Sequence, residues 1–471
     1  MAPFSFYWHD YETFGVVPRR DRPAQFAGLR TDADLNEIET PLTIYCKPSL
    51  DTLPEPEACL ITGITPQLCA ERGIAERSFA ETIETQLATP GTVGCGYNSL
   101  RFDDEVTRFL FWRNLIDPYA REWQNECGRW DLLDTVRCAW ALRPDGIHWP
   151  TREDGKPSFR LEHLTAANGL AHEAAHDALS DVRATIALAR LVKEHQPRLW
   201  AHCLKLSRKQ AVIDEMGVGR PFVHLSGRYP VERGCMAVVW PLAPHPKFRN
   251  EVIVWDLAFD PSELFTLNAQ AVRERLFTAA DALPAGQSRL PIKTIHLNKS
   301  PIVIGNLKTL GAATTRWGID LDQAQRHADL AMRKANSMAG IWPEVYERPA
   351  SGEAVDVDED LYGGFLDNDD RRALQRLRAL PAERLAERRP AFNDPRLDEL
   401  LLRFRARNHP ETLDAAERAH WLAHCRARWQ AMPAWLERIG ALEAGADERG
   451  RALMADLRRW GASLQAGERA A

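Results

Sequence analysis

A chain of 471 residues, 45% hydrophobic and 27% charged, has ample material for packed cores and is neither a disordered nor a fibrous polypeptide. Its length exceeds the size at which single cores stop growing, so two or three domains are expected. The net charge of -6 argues against indiscriminate binding to polyanions but says little about a local groove, and no apolar run is long enough to cross a bilayer. The N-terminus carries neither a basic region nor a small-residue cleavage site, so a cytoplasmic protein is expected. The nine cysteines form no C-x-x-C pair and no Cys/His spacing suited to zinc, which predicts reduced structural thiols.

In chain order, "SFYWHDYETFG" reads as an apolar strand that ends on two carboxylates, Asp10 and Glu12. Side chains alternate along a strand, so both acids project from one face near its C-terminal end. "AQFAGLRT" and "PLTIYCKP" predict a hairpin that extends this strand antiparallel. Helices are expected at "TPQLCAERG" and "SFAETIETQLA", a strand at "GTVGCGY", then helices at "DDEVTRFLFWRNL" and "LLDTVRCAWAL", after "PSFRLEHLTAANG", and at "DALSDVRATIALARLVKEH". This order predicts an α/β domain with a mixed sheet over residues 1–200. The absence of G-x-G-x-x-G and of G-K-[ST] excludes the usual dinucleotide and phosphate loops. Short strands broken by Pro and Gly predict a β-rich middle domain over 203–345. The acidic 346–365 stretch reads as a linker, and 366–471 as a helical third domain.

"FDDEVTR" places Asp103 and Asp104 at the start of a helix, where one acid suffices as a cap. "HDALSD" offers His176 and Asp181. Five residues of helix turn through about 140°, so the pair fits one site only if His176 lies on the entering loop and Asp177 caps. Each acid alone has a bland reading as a cap or a solvated side chain. Two neighbouring carboxylates repel each other unless a cation, commonly a divalent metal, sits between them.

Taken jointly, D-x-E, a mid-chain Asp and H-x4-D resemble the DEDDh superfamily of 3'-to-5' exonucleases, which share a ribonuclease H-like fold. Asp10, Glu12, Asp103, Asp181 and His176 match its motif, with Asp103 preferred over Asp104 because it directly follows Phe102. "GYNSLRFDDEVTR", "RWDLLD", "PSFRLEHLTAANG", "YGGFLDNDDRR" and "RARNHPETLD" further resemble the exonuclease I family of bacterial single-stranded-DNA exonucleases. That resemblance implies a nuclease domain, a barrel-like middle domain forming part of the DNA channel, and a helical C-terminal domain. It also implies two Mg²⁺ ions, replaceable by Mn²⁺, on the four acids, with His176 as base. Implied DNA contacts are Glu12, Arg108, Tyr119, Trp123, Arg137 and Arg160, and Asn298 and Lys299 in "HLNKSP" are added from their place at a strand end.

A basic track with aromatic faces suits a single strand, and Tyr11, Phe14, Phe102, Trp112 and Arg101 are further candidates, although Trp112, in the apolar stripe of a helix, reads better as core. Implied partners are single-stranded DNA and the acidic tail of single-stranded-DNA-binding protein. A monomer without membrane contact, used in DNA repair at the nucleoid, is expected. Two rivals stand beside this: an exoribonuclease or proofreading nuclease on the same domain, and a non-catalytic single-strand-binding protein.

Overall fold

The computed structural model describes residues 4–171, 177–338, 340–347, 355–387 and 390–470. The chain divides into two compact units. The first comprises residues 1–128, 172–186 and 353–471, and the second 129–171 and 187–352.

Strands β1 (Ser5–Thr13), β2 (Pro23–Thr31), β3 (Leu42–Tyr45) and β4 (Thr92–Gly96) lie in the first unit in the order β3-β2-β1-β4. β2 runs antiparallel to β1 and to β3, as the hairpin pattern predicted, while β4 runs parallel to β1. The sheet is therefore mixed. β1 is covered on both faces, which explains its almost unbroken apolar run before the acids. Tyr7 and Tyr11 join Phe26 and Phe79 in the core on one face, leaving Asp10 and Glu12 on the other. The β1–β2 register shifts between Glu12 and Thr13, a bulge of the kind that re-aims side chains beside functional sites.

Two helices complete the frame of the acids. Helix α1 (Asp103–Arg113) buries Val106, Leu110 and Phe111 in the same core as Tyr11. Helix α2 (Ala178–His195) begins where Asp177 accepts a hydrogen bond from the Ser180 N–H, so Asp177 caps as predicted. The chain leaves the first unit at β5 (Gly128–Asp131). One helix expected after "PSFRLEHLTAANG" instead lies within it, at Leu161–Ala167, because Leu161 and Leu164 supply its buried face.

The second unit holds an open antiparallel sheet of β6 (Phe222–Leu225), β7 (Met236–Pro244), β8 (Glu251–Asp256), β9 (Ile292–His296) and β10 (Ile302–Ile304), in the order β10-β6-β7-β8-β9. Each strand falls in a segment that the β-rich texture marked. All nine cysteines are buried thiols, and no helix among the described residues is long and apolar enough to cross a membrane.

The C-terminal helices belong to the first unit, and three indoles show how they are held there. The N–H groups of Trp429, Trp460 and Trp435 donate to the carbonyls of Leu50, Thr52 and Pro54, at 2.9, 3.0 and 2.5 Å. Beside them lies a buried charge hub. Arg22 reaches Asp51 at 2.9 Å and Asp358 at 3.3 Å, and Arg407, on helix α3 (Arg396–Asn408), pairs with both acids. Arg403 adds a contact to Asp358 at 3.1 Å. The stretch expected as a linker thus carries an anchor: Asp358 and Leu361 are buried, and Val357 accepts from the Trp112 indole.

Burial alone would raise the Asp51 and Asp358 carboxyls, but Arg407 and Arg22 outweigh it and hold both well below the usual range. Their folded values are depressed, so this stabilisation is present above the unfolded value of about 3.9 and is lost as pH falls below it. Arg407→Met leaves two buried acids under-compensated and is expected to cost about 3–5 kcal/mol in urea unfolding at pH 7. The gap between parent and variant should narrow below pH ~3.9; a gap that stays constant to pH 2 would contradict the assignment.

Candidate active site

Strand alternation brings Asp10 and Glu12 to one face at the end of β1, just before the bulge, and α2 presents Asp181 from its first turn. One carboxylate oxygen from each of Asp10, Glu12 and Asp181 lies within 4.8 Å of the others. Asp103 is buried at the start of α1, where its Oδ1 accepts the Tyr11 backbone N–H at 3.1 Å. The Tyr11 hydroxyl meets Thr107 Oγ1 at 3.0 Å, tying α1 to the strand a second time.

The acids feel one another strongly. Burial, followed by the charges of Asp103, Glu12 and Asp181, pushes the Asp10 carboxyl well above its ordinary value. Burial, followed by Asp181, Asp103 and Asp177, raises Glu12 to about 8. A like-charged cluster of this kind is relieved by a divalent cation, so the donor set fits an oxygen-ligated metal.

Asp104 is placed differently from its neighbour. Its Oδ1 accepts from Arg121 Nη2 at 2.6 Å, both side chains being buried. Arg121 had no signal in the sequence, since it sits in a short turn without periodicity. His176 lies outside the described residues.

The candidate DNA contacts divide sharply. Tyr11 and Phe14 are corrected to core residues, the first packed on Phe26 and the second beside Ala24 and Cys59, so neither offers a free ring face. Trp112 is also core. Phe102 is partly buried and Arg101 exposed. Trp123 is 66% exposed. Arg108 is buried and its guanidinium is already engaged, by Glu122 at 2.7 and 2.9 Å and by Glu105 at 2.8 Å. It lies 5.2 Å from the ring centre of Tyr119. In the second unit Arg137 pairs with Asp134 at 2.6 Å and sits 5.7 Å from the ring centre of Phe159. Arg160 is exposed at the start of its helix, Asn298 is exposed, and Lys299 is partly exposed.

Because Glu12 is raised from about 4.5 to about 8, its protonated form is favoured by the fold, and without metal this group destabilises the protein as pH rises between those values. Glu12→Gln is therefore expected to be more stable than the parent in chelator at pH 8, by about 1–3 kcal/mol, with the difference vanishing near pH 4.5. Calorimetric melts across that range check it, and a variant less stable at pH 8 would count against the electrostatic account.

Comparison with known proteins gives the site its context. Residues 7–189 match the exonuclease family, 207–348 the exonuclease I SH3-like domain and 355–464 the exonuclease I C-terminal domain. Exodeoxyribonuclease I of Haemophilus influenzae is 46% identical over 430 residues, 89% of this chain and 90% of its own length. The moderately thermophilic exonuclease I of Methylocaldum szegediense superposes with a TM-score of 0.92 at 48% identity, covering 98% of this chain and 99% of its own. Escherichia coli exonuclease I in complex with a dA16 oligonucleotide gives 0.93 at 41%, covering 98% and 100%, and the same enzyme is known in a zinc-bound form with single-stranded DNA. With identity and coverage at this level along all three segments, the chain belongs to the exonuclease I family and is an exonuclease.

Proposed function

We propose that the enzyme removes nucleotides successively from the 3' end of single-stranded DNA, releasing 5'-mononucleotides, with two Mg²⁺ ions, replaceable by Mn²⁺, held by Asp10, Glu12, Asp103 and Asp181. The observation that carries this reading is the convergence of carboxylate oxygens from β1 and α2 within 4.8 Å, beside buried Asp103. Such a metal pair, when bound, supplies an activated water and stabilises the leaving 3'-oxygen. Asp10 and Glu12 keep their positions because β2 pairs with them, opposite Ala27 and Gln25, so little reorganisation is needed when substrate arrives. His176, with an ordinary value of about 6.5, takes the proton of the attacking water on an imidazole nitrogen near neutral pH.

Glu12 also lies against the terminal nucleotide. Exposed Trp123 offers a face on which a base stacks, and Arg160, Arg137, Asn298 and Lys299 follow the phosphates. Arg108 and Tyr119 support the Trp123 turn from within their ion-pair network. The protein works as a cytoplasmic monomer in DNA repair, recruited through the acidic tail of single-stranded-DNA-binding protein.

Labelled single-stranded DNA, matched RNA and blunt duplex, each with Mg²⁺ or chelator, test the reading. Shortening of the DNA strand alone, from its 3' end and only with metal, is expected. Equal trimming of RNA overturns the substrate, and binding without cleavage overturns the enzyme. Asp10→Ala and Asp181→Ala should each lower kcat by about 10⁴-fold or more with single-strand affinity kept, and His176→Ala by about 10²–10⁴-fold with metal affinity kept. Near-parental turnover of the Asp181 variant would remove it from the site.

A further inference from the structure

Asp104 and Arg108 stand four residues apart on α1 and so share one face of the helix. Opposite them, Arg121 and Glu122 are consecutive on the turn Ala120–Glu122. The charges are reciprocal: Asp104 pairs with Arg121 at 2.6 Å, and Arg108 takes both Glu122 oxygens at 2.7 and 2.9 Å. All but Glu122 are buried, and the Glu122 side chain is only 7% exposed. Gly94 of β4 leaves room for the Arg121 guanidinium, since a Cβ there would lie 3.2 Å from its Nη1.

Two opposed ion pairs on one helical face fix more than the position of a helix. They fix its rotation. Asp103 is one residue, about 100° of helix, from Asp104, so the phase that seats Asp104 on Arg121 also directs Asp103. A rotation of about 20° carries an oxygen ~5 Å from the axis through nearly 2 Å, and Mg²⁺ tolerates little deviation from its ligand geometry. We propose that the 120–122 turn is a charge-matched clamp on α1, and that Arg121 is a positioning residue that aims Asp103 at the metal site. This rests on the reading of Asp103 as a metal ligand.

The test separates aim from stability by removing the buried pair together. In Arg121→Met/Asp104→Leu no uncompensated charge remains, so the melting temperature should stay within about 5 °C of the parent. Mn²⁺ affinity of the DNA-free protein, followed by electron paramagnetic resonance of the unbound ion, should nevertheless weaken by about ten-fold. With Mg²⁺, kcat should fall by about the same factor at unchanged KM. Parental Mn²⁺ affinity in the double variant, whatever its melting temperature, overturns the clamp. Should the double variant not fold, Arg121→Lys, which keeps the charge and loses the fork, is expected to weaken Mn²⁺ about three-fold, and parental affinity there likewise overturns it. Asp103→Ala serves as the reference: parental Mn²⁺ affinity in that variant removes Asp103 from the metal set, whereas weakened binding there with parental binding in the clamp variants refutes the clamp alone.

Discussion

Four carboxylates held close together repel one another, and the first unit is arranged around containing that repulsion. Asp10 and Glu12 sit opposite Ala27 and Gln25 of β2, just beyond the stretch of β1 that also pairs with β4, and Asp103 and Asp181 come from the starts of two helices. The helix starts help, because backbone N–H groups there favour negative charge. The cluster still pushes protons onto Asp10 and Glu12, which marks it as a site built for a cation and not for its own stability. Sheet pairing and tied helices supply from elsewhere the stability that these acids withhold.

The charge hub around Asp51 and Asp358 makes an instructive contrast. There too, acidic oxygens approach closely enough for Asp51, Asp358 and His424 to resemble a metal cluster. Arg22, Arg403 and Arg407 already occupy the role of the cation, and the carboxyls are driven down where those at the active site are driven up. Two groups of buried acids in one unit thus take opposite protonation tendencies from their neighbours alone.

Local pattern carried much of the architecture into the sequence. The hairpin of β2 and β3, the strand β4 and the five short strands of the second unit are each bounded by turn residues and rich in strand-forming side chains, so their periodicity was legible. The metal-type acids were legible because D-x-E shares a face for a reason of strand geometry, and because the order of motifs resembles a known superfamily. Contacts made by side chains across long stretches of chain were not. Nothing local tells that Phe14 turns into the core, that Glu122 and not solvent meets Arg108, or that Asp358 anchors a stretch whose composition suggests a tether. The division of residues 129–171 from 1–128 is equally non-local, since both segments read as one alternation of strands and helices.

The three indole hydrogen bonds to Leu50, Thr52 and Pro54 reach across 379, 408 and 381 residues of sequence. Closing loops of that size is entropically expensive and slow, and it orders the events of biosynthesis. When the early strands have emerged from a ribosome, the extended segment that follows β3 has none of its distant donors, and Asp51 has Arg22 and Ser49 but not Arg407. The first unit completes its core only after the last helices have been made, hundreds of residues later. The nuclease part of this exonuclease is thereby finished only when the C-terminal helices of the same unit have been made.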